Sequence, residues 1–244
     1  MEEPVPVGGH HASVVESRDD ATGIAILAAV LPGMYAKTET LARLAEHLGK
    51  DAVAGHLRAK LPTSANARSG DMGEILAAAY LQEEQGYVVG PSRLVDRDHQ
   101  EWAMRGDDVL AAKLTDGKAQ IVKAEAKSAL RIGKATVTDA REGLSRNDEM
   151  PAPQSLAQFV ARLLNAGIDD IGIAVADLQR GIGLRPDQIR HLMFLFTGSD
   201  PSRHITADLE AYSGSVPQLA ITLRPRDHRT FIKSVYETVI ASGP

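Results

Sequence analysis

The residues of this chain whose types and order could do chemistry together are Glu74, the pair Asp107-Asp108, and the triplet Glu125-Ala126-Lys127. Carboxylates are the hard oxygen ligands that magnesium takes, and magnesium keeps several of its waters, so two or three carboxylates suffice. A lysine beside them can orient a water or stabilise the charge that develops on a phosphoryl group. The set therefore suits metal-assisted hydrolysis of a phosphodiester. Asp108 and Glu125 would hold the ion, Glu74 would reach it directly or through a water, and Lys127 would serve the transition state. Magnesium is the expected ion, with manganese as the alternative.

These residues need elements that bring them together. A helix is predicted from Ser69 to about Gln85. The helical neighbours of Glu74 in it are Gly70, Asp71, Ala77 and Ala78, a small face suited to close packing on a sheet. An acid in a first helical turn is also favoured by the helix dipole alone. Strands are predicted over Tyr87–Val89, reaching toward Val95, then over Asp108–Leu114 and Ala119–Leu130, with Thr115-Asp116-Gly117 as a hairpin turn. Alternation along the third strand puts Ile121, Lys123, Glu125 and Lys127 on one face and Val122, Ala124 and Ala126 on the other. Asp107 competes with Asp108 as ligand. Asp108 is preferred because it opens the apolar run, and because alternation sends consecutive side chains to opposite faces. A Glu-x-Lys triplet by itself also occurs on solvated strand faces, so its position after an Asp-led strand is what gives it weight.

Composition bounds the rest. With 244 residues, 43% of them hydrophobic, the chain can bury a sizeable core. The absence of cysteine excludes disulfides, thiolate zinc sites and cysteine nucleophiles. No apolar run approaches the length of a membrane span, and the acidic start lacks a signal peptide's basic region, so a cytoplasmic, soluble protein with no membrane association is expected. The net charge of −5 speaks against a general nucleic-acid coating protein. Even so, eight basic side chains stand against four acidic ones between Lys113 and Arg146, and Arg224, Arg226, Arg229 and Lys233 form a second cluster. Phosphate contacts require such patches, although solvated helix faces produce them too.

Residues 1 to about 20 read as a mobile acidic lead with His10-His11 in it, and helices follow over 37–48, behind a Thr38 cap, and over 51–60. The predicted division is an accessory region of acidic lead and helical layer, 1–66, and a domain, 67–244, that carries the site. Further on, helices are expected over 136–146, 154–165 and 227–240, and strands over 191–196 and 219–223, while 170–179 is ambiguous. Gly181-Ile182-Gly183 is no phosphate loop, since no Gly-Lys-Ser/Thr follows it, and no ATP-binding signature occurs in the chain. Dispersed histidines show no metal-ligand spacing, and Trp102 is expected to pack at the core or the site's rim.

The motifs in this order resemble the PD-(D/E)xK nuclease superfamily. More narrowly, Arg68-Ser69-Gly70-Asp71-Met72-Gly73-Glu74-Ile75-Leu76, Gly106-Asp107-Asp108 and Glu125-Ala126-Lys127-Ser128 look like the nuclease subunit of the Hachiman anti-phage defence system. The resemblance covers about residues 68–130, and Gly-Asp-Asp replaces the superfamily's Pro-Asp. It implies an α/β (α+β) fold with a restriction-endonuclease-like core, a central mixed sheet flanked by helices, here with an N-terminal helical layer added. It also implies a magnesium-dependent DNA nuclease working with a superfamily-2 helicase. A homodimer would suit double-strand cutting. The alternatives are a non-cleaving docking or DNA-binding module of the same fold, or a stand-alone restriction-type endonuclease.

Overall fold

A computed structural model describes residues 4–97, 99–101, 105–180 and 183–242. Trp102 and the Gly181-Ile182 part of the glycine triplet lie outside the described residues. In chain order the elements are β1 (Val5–Val7), β2 (His10–Glu16), α1 (Asp20–Tyr35), α2 (Thr38–Leu48), α3 (Lys50–Lys60), α4 (Ala65–Ala79), β3 (Val109–Thr115), β4 (Lys118–Ala129), α5 (Lys134–Ser145), α6 (Pro153–Asn165), α7 (Asp169–Arg180), β5 (Ile189–Thr197), α8 (Ser202–Ala211), β6 (Gln218–Arg224) and α9 (His228–Ser242). A π-helical turn, Tyr80–Glu84, extends α4, and a 3-10 turn, Arg93–Asp96, lies between α4 and β3.

The six strands form one mixed sheet in the order β1-β2-β6-β5-β4-β3, as the α/β reading expects. β3 and β4 are an antiparallel hairpin, β4, β5, β6 and β2 run parallel, and β1 turns back along β2. The hairpin follows from local chemistry: Asp116 and Gly117 both take positive φ, 50° and 73°, the turn whose twist matches the strands it joins. Alternation on β4 also holds. Val122 and Ala124 join the core under α1, α4 and α9, whereas Ala119 and Ile121 join a second core under α6 and α7. A third core lies between α5, α8 and the middle strands.

Several expectations are corrected. Residues 5–16 are not a mobile lead: β2 pairs along β6 from His11↔Leu219 to Glu16↔Arg224. The pairing spans some two hundred residues of sequence and leaves no local trace. Thr38 does not cap α2; it is the helix's first residue, and no side chain caps that end. The helix carrying Glu74 starts four residues earlier than expected, behind Ser64, whose Oγ accepts from Ala67 N at 3.2 Å. The strand expected at Tyr87–Val89 reduces to a single bridge in which Val88 and Ala112 exchange hydrogen bonds of 2.8 and 2.9 Å. Gly86 and Gly90, at φ +64° and +71°, turn the backbone out of a strand on either side. Residues 169–180 are helical, and α1 and α8 were not anticipated individually. No single helix among the described residues is long and apolar enough to cross a membrane.

Candidate active site

The register Val109↔Ala124 places Asp108 just beyond the end of β3, across from Glu125. Its carboxylate is pinned there, because Ala126 N donates to Asp108 Oδ2 at 3.0 Å. Ala126 is the middle residue of the Glu-x-Lys triplet, so this one bond ties the aspartate to the triplet. On the far face of β4, Lys127 Nζ donates to Glu125 Oε1 at 2.7 Å. The Glu125 carboxylate lies against the backbone of Gly143 in α5, where a Cβ would collide with it. Burial, then the neighbouring Asp108 charge, push Glu125 above the usual carboxylate range, while Lys127 pulls it back.

Glu74 reaches this end of the sheet from the opposite side. Gly73 lets α4 sit on β4, since a Cβ there would stand 3.3 Å from Ser128 Cβ, and Ser69 Oγ bonds the Ser128 carbonyl and hydroxyl at 3.1 and 2.8 Å. The even-numbered face of β4 is therefore covered by α4, and the odd-numbered face that carries Glu125 and Lys127 is not. What meets the Glu74 carboxylate is Arg93, through Nε at 2.9 Å and Nη2 at 2.7 Å. Arg93 also donates to Asp108 Oδ1 at 3.2 Å and to the Asp107 carbonyl at 2.7 Å. Burial raises Glu74 to about 7 even though Arg93 pulls the other way. Sequence reasoning missed Arg93. A weak signal existed: a glutamate expected to be buried needs a cation, and Arg93 precedes Leu94, a core residue, directly after the Gly90-Pro91 break.

Asp107 points elsewhere, as alternation requires. Its Oδ2 accepts from Ala152 N at 2.7 Å and its Oδ1 lies 3.8 Å from Lys123 Nζ. Asp107 N donates to Ser155 Oγ at 3.0 Å, and Gly106, at φ +101°, leaves no room for a Cβ beside that hydroxyl. Lys123 is fully buried and donates to the carbonyls of Leu144, Arg146 and Met150 at 2.9, 2.8 and 3.0 Å. It anchors a turn in which Asn147, Asp148 and Glu149 all take left-handed φ of 56°, 53° and 68°, a conformation that needs outside support. Lys123 thus leaves the basic cluster expected for phosphate contacts. So does Arg141, which is bound to Asp208 and Gln218. In the second cluster Arg224 pairs with Glu16 at 2.5 Å.

The donor chemistry fits magnesium in a restricted way. Asp108 and Glu125 offer oxygen ligands from adjacent strands, and an ion that keeps several waters needs no more. Glu74 is engaged by Arg93, and among the described residues no group of three or more histidine, aspartate or glutamate side chains is set to hold an ion. The residues that could hold the metal are therefore Asp108 and Glu125.

Comparison with known proteins places the chain in a family. The HamA family model matches residues 3–239, nearly the whole chain, and the chain belongs to that family. A curated relative, the Hachiman protein HamA of Bacillus cereus, is 26% identical over 176 residues, which covers 72% of this chain and 62% of that protein. The chain thus matches less than two thirds of its relative's length.

Proposed function

We propose that this chain is a divalent-metal-dependent DNA nuclease that hydrolyses phosphodiesters within an anti-phage defence complex. The observation that carries this reading is the hydrogen bond from Ala126 N to Asp108 Oδ2, which sets an aspartate against the middle of a Glu-x-Lys triplet. Membership of the HamA family and similarity to a Hachiman protein support the defence assignment. Magnesium, or manganese in its place, would polarise a phosphoryl oxygen and supply an activated water when held by Asp108 and Glu125. Lys127, with its ammonium on Glu125, would donate to that water or to the developing charge. Glu74 acts through Arg93, whose guanidinium holds the Asp108 oxygen that Ala126 N does not.

DNA is the substrate in this reading. The partner is a superfamily-2 helicase, which would supply the ATP-driven motion for which the sequence has no signature. The site of action is the cytoplasm, and a homodimer would place two sites for double-strand cutting. The restriction-endonuclease-like core and the division at residue 66 belong to the same proposal.

Incubating plasmid DNA with the chain, with and without magnesium, tests it. Cleavage that needs the metal and falls at least a hundredfold in folded Glu125→Gln and Lys127→Ala variants is expected. Activity within a few fold of the unsubstituted chain in both variants would remove the site assignment. Co-purification with a neighbouring helicase, and cleavage that responds to ATP but not to a non-hydrolysable analogue, are expected of the complex. A second reading, a non-cleaving docking module, is favoured by one observation: Arg93 occupies Glu74 and Asp108 with a cation of the chain's own. Lack of cleavage under every metal, with the helicase bound, would select it.

A further inference from the structure

Beside Asp108 the structure holds a cavity of about 420 Å³ that the proposed hydrolytic chemistry does not by itself account for. Glu74, Arg93 and Asp108 line it with Ser155, Gln158 and Arg162 of α6, whereas Glu125 and Lys127 do not, so it lies beside the start of the edge strand β3, between α1, α4 and α6. Its size lies within the range of small-molecule sites.

Two features of its walls specify a ligand. One is apolar: Ile26 and Val30 of α1 line the cavity with Ile75, yet Ile26 is 60% and Val30 44% exposed. The other is cationic. Arg105 and Arg162 line the cavity, and the Nε of Arg162 is buried with no hydrogen-bond partner among the described residues. Arg93 is committed to Glu74, Asp108 and the Asp107 carbonyl, so its charge repels Arg162 without binding it. Asp96 opposes that repulsion from nearby but makes no ion pair with Arg162. A half-buried guanidinium whose inner Nε–H has no acceptor suits an anion, and phosphate matches its fork. Glu74, Glu83, Asp107 and Asp108 also line the cavity, so an anion is favoured only next to Arg162 and Arg105. Amide side chains of Gln82 and Gln158 on the wall offer the donors and acceptors that a base edge uses.

We propose that this cavity is a nucleotide site, taking one nucleoside monophosphate unit with its phosphate on Arg162 and Arg105 and its base and sugar against Ile26, Val30 and Ile75. The unit comes either from free nucleotide or from the terminus of a DNA strand lying across Asp108. The latter source rests on the nuclease reading.

Calorimetric titration of the full chain carrying Glu125→Gln, in the presence of a chelator so that nothing is cleaved, tests the site. The probes are deoxynucleoside 5′-monophosphates, an oligonucleotide with and without a 5′-phosphate, and laurate as an apolar anion without a base. Saturable binding of a phosphorylated probe is expected, weakened roughly tenfold or more by adding Arg162→Gln or Val30→Glu, each shown by thermal melting to fold. Val30 is exposed, so a glutamate there adds repulsion without entering the core. Preference for the phosphorylated oligonucleotide supports the strand terminus as source, and preference for the mononucleotide supports free nucleotide. Binding of laurate alone, binding indifferent to both substitutions, or no binding overturns the proposal. Plasmid cleavage by the unsubstituted chain separates the two readings. Cleavage without nucleotide binding removes the cavity site only, and nucleotide binding without cleavage removes the nuclease reading only.

Discussion

Arg93 and Glu74 form a two-pronged, nearly buried ion pair, 2.9 Å at Nε and 2.7 Å at Nη2, that joins the 3-10 turn before β3 to the helix on the other side of the sheet's end. The same guanidinium reaches Asp108 at 3.2 Å. A single arginine thus links the helix acid to the aspartate at the start of β3 without the two carboxylates touching each other or a common ion.

That linkage predicts non-additive mutations. Arg93→Gln leaves the Glu74 carboxylate without its cation, a loss of about 3–5 kcal/mol in stability, whereas Glu74→Gln leaves Arg93 its bonds to Asp108 and the Asp107 carbonyl and should cost less, about 1–3 kcal/mol. Replacing both by Gln and Met should cost less than the sum of the singles by roughly 1–3 kcal/mol. Denaturant melts of the four proteins measure it, and additive losses would show that the pair is not coupled.

Asp108→Asn and Asp107→Asn should separate cleavage from stability. The Asp108 carboxylate stands beside Glu125 and is expected to control cleavage, with a loss of at least about a hundredfold. The Asp107 carboxylate instead receives Ala152 N and faces buried Lys123, so its substitution should lower the melting temperature while cleavage by the remaining folded protein stays within a few fold. The reverse ranking would move the ligand to Asp107.

Asp71, three residues before Glu74 on the same helix, is structural. It is buried and ion-paired with Arg97, it accepts from Tyr35 Oη at 2.5 Å, and Tyr35 lies 2.7 Å from Tyr236 Oη. The group ties α1, α4 and α9 together. Asp71→Ala should destabilise the fold by about 3–5 kcal/mol because it strands the Arg97 charge, whereas Tyr236→Phe, which keeps the ring, should cost about 1 kcal/mol. Chemical denaturation would show the ranking.

Stability should fall on mild acidification through His191. Burial pushes its imidazole down to about 4. The neutral ring is held by Glu149 O, 2.8 Å from Nε2, and by Gln218 Nε2, 3.0 Å from Nδ1, which fixes the tautomer with its proton on Nε2. The unfolded chain takes up a proton near the ordinary histidine value of about 6.5 and the folded chain does not. The contribution is therefore complete above about 6.5 and is lost between about 6.5 and 4, on the order of 3 kcal/mol. Melting curves across that window check it, and a His191→Gln variant should show a flatter dependence.

The sequence by itself determined what short-range chemistry controls. Asp116-Gly117 could close only a tight hairpin, and alternation on β4 put Glu125 and Lys127 on one face and Ala124 on the other, as the cores confirm. The same alternation parted Asp107 from Asp108, and the helix that carries Glu74 was visible from its small residues. Only the tertiary structure decided which charges face each other. Arg93 meets Glu74 across nineteen residues and a chain reversal, and Lys123, read as one of a basic cluster, is buried on three carbonyls that converge only after α5 has folded back. His10-His11, read as part of a tail, lies in a strand because β6 presents a parallel edge more than two hundred residues away. Periodicity and turn preferences act over a few residues and leave their mark there. Ion pairing and parallel strand pairing depend on distances in space that no local pattern encodes.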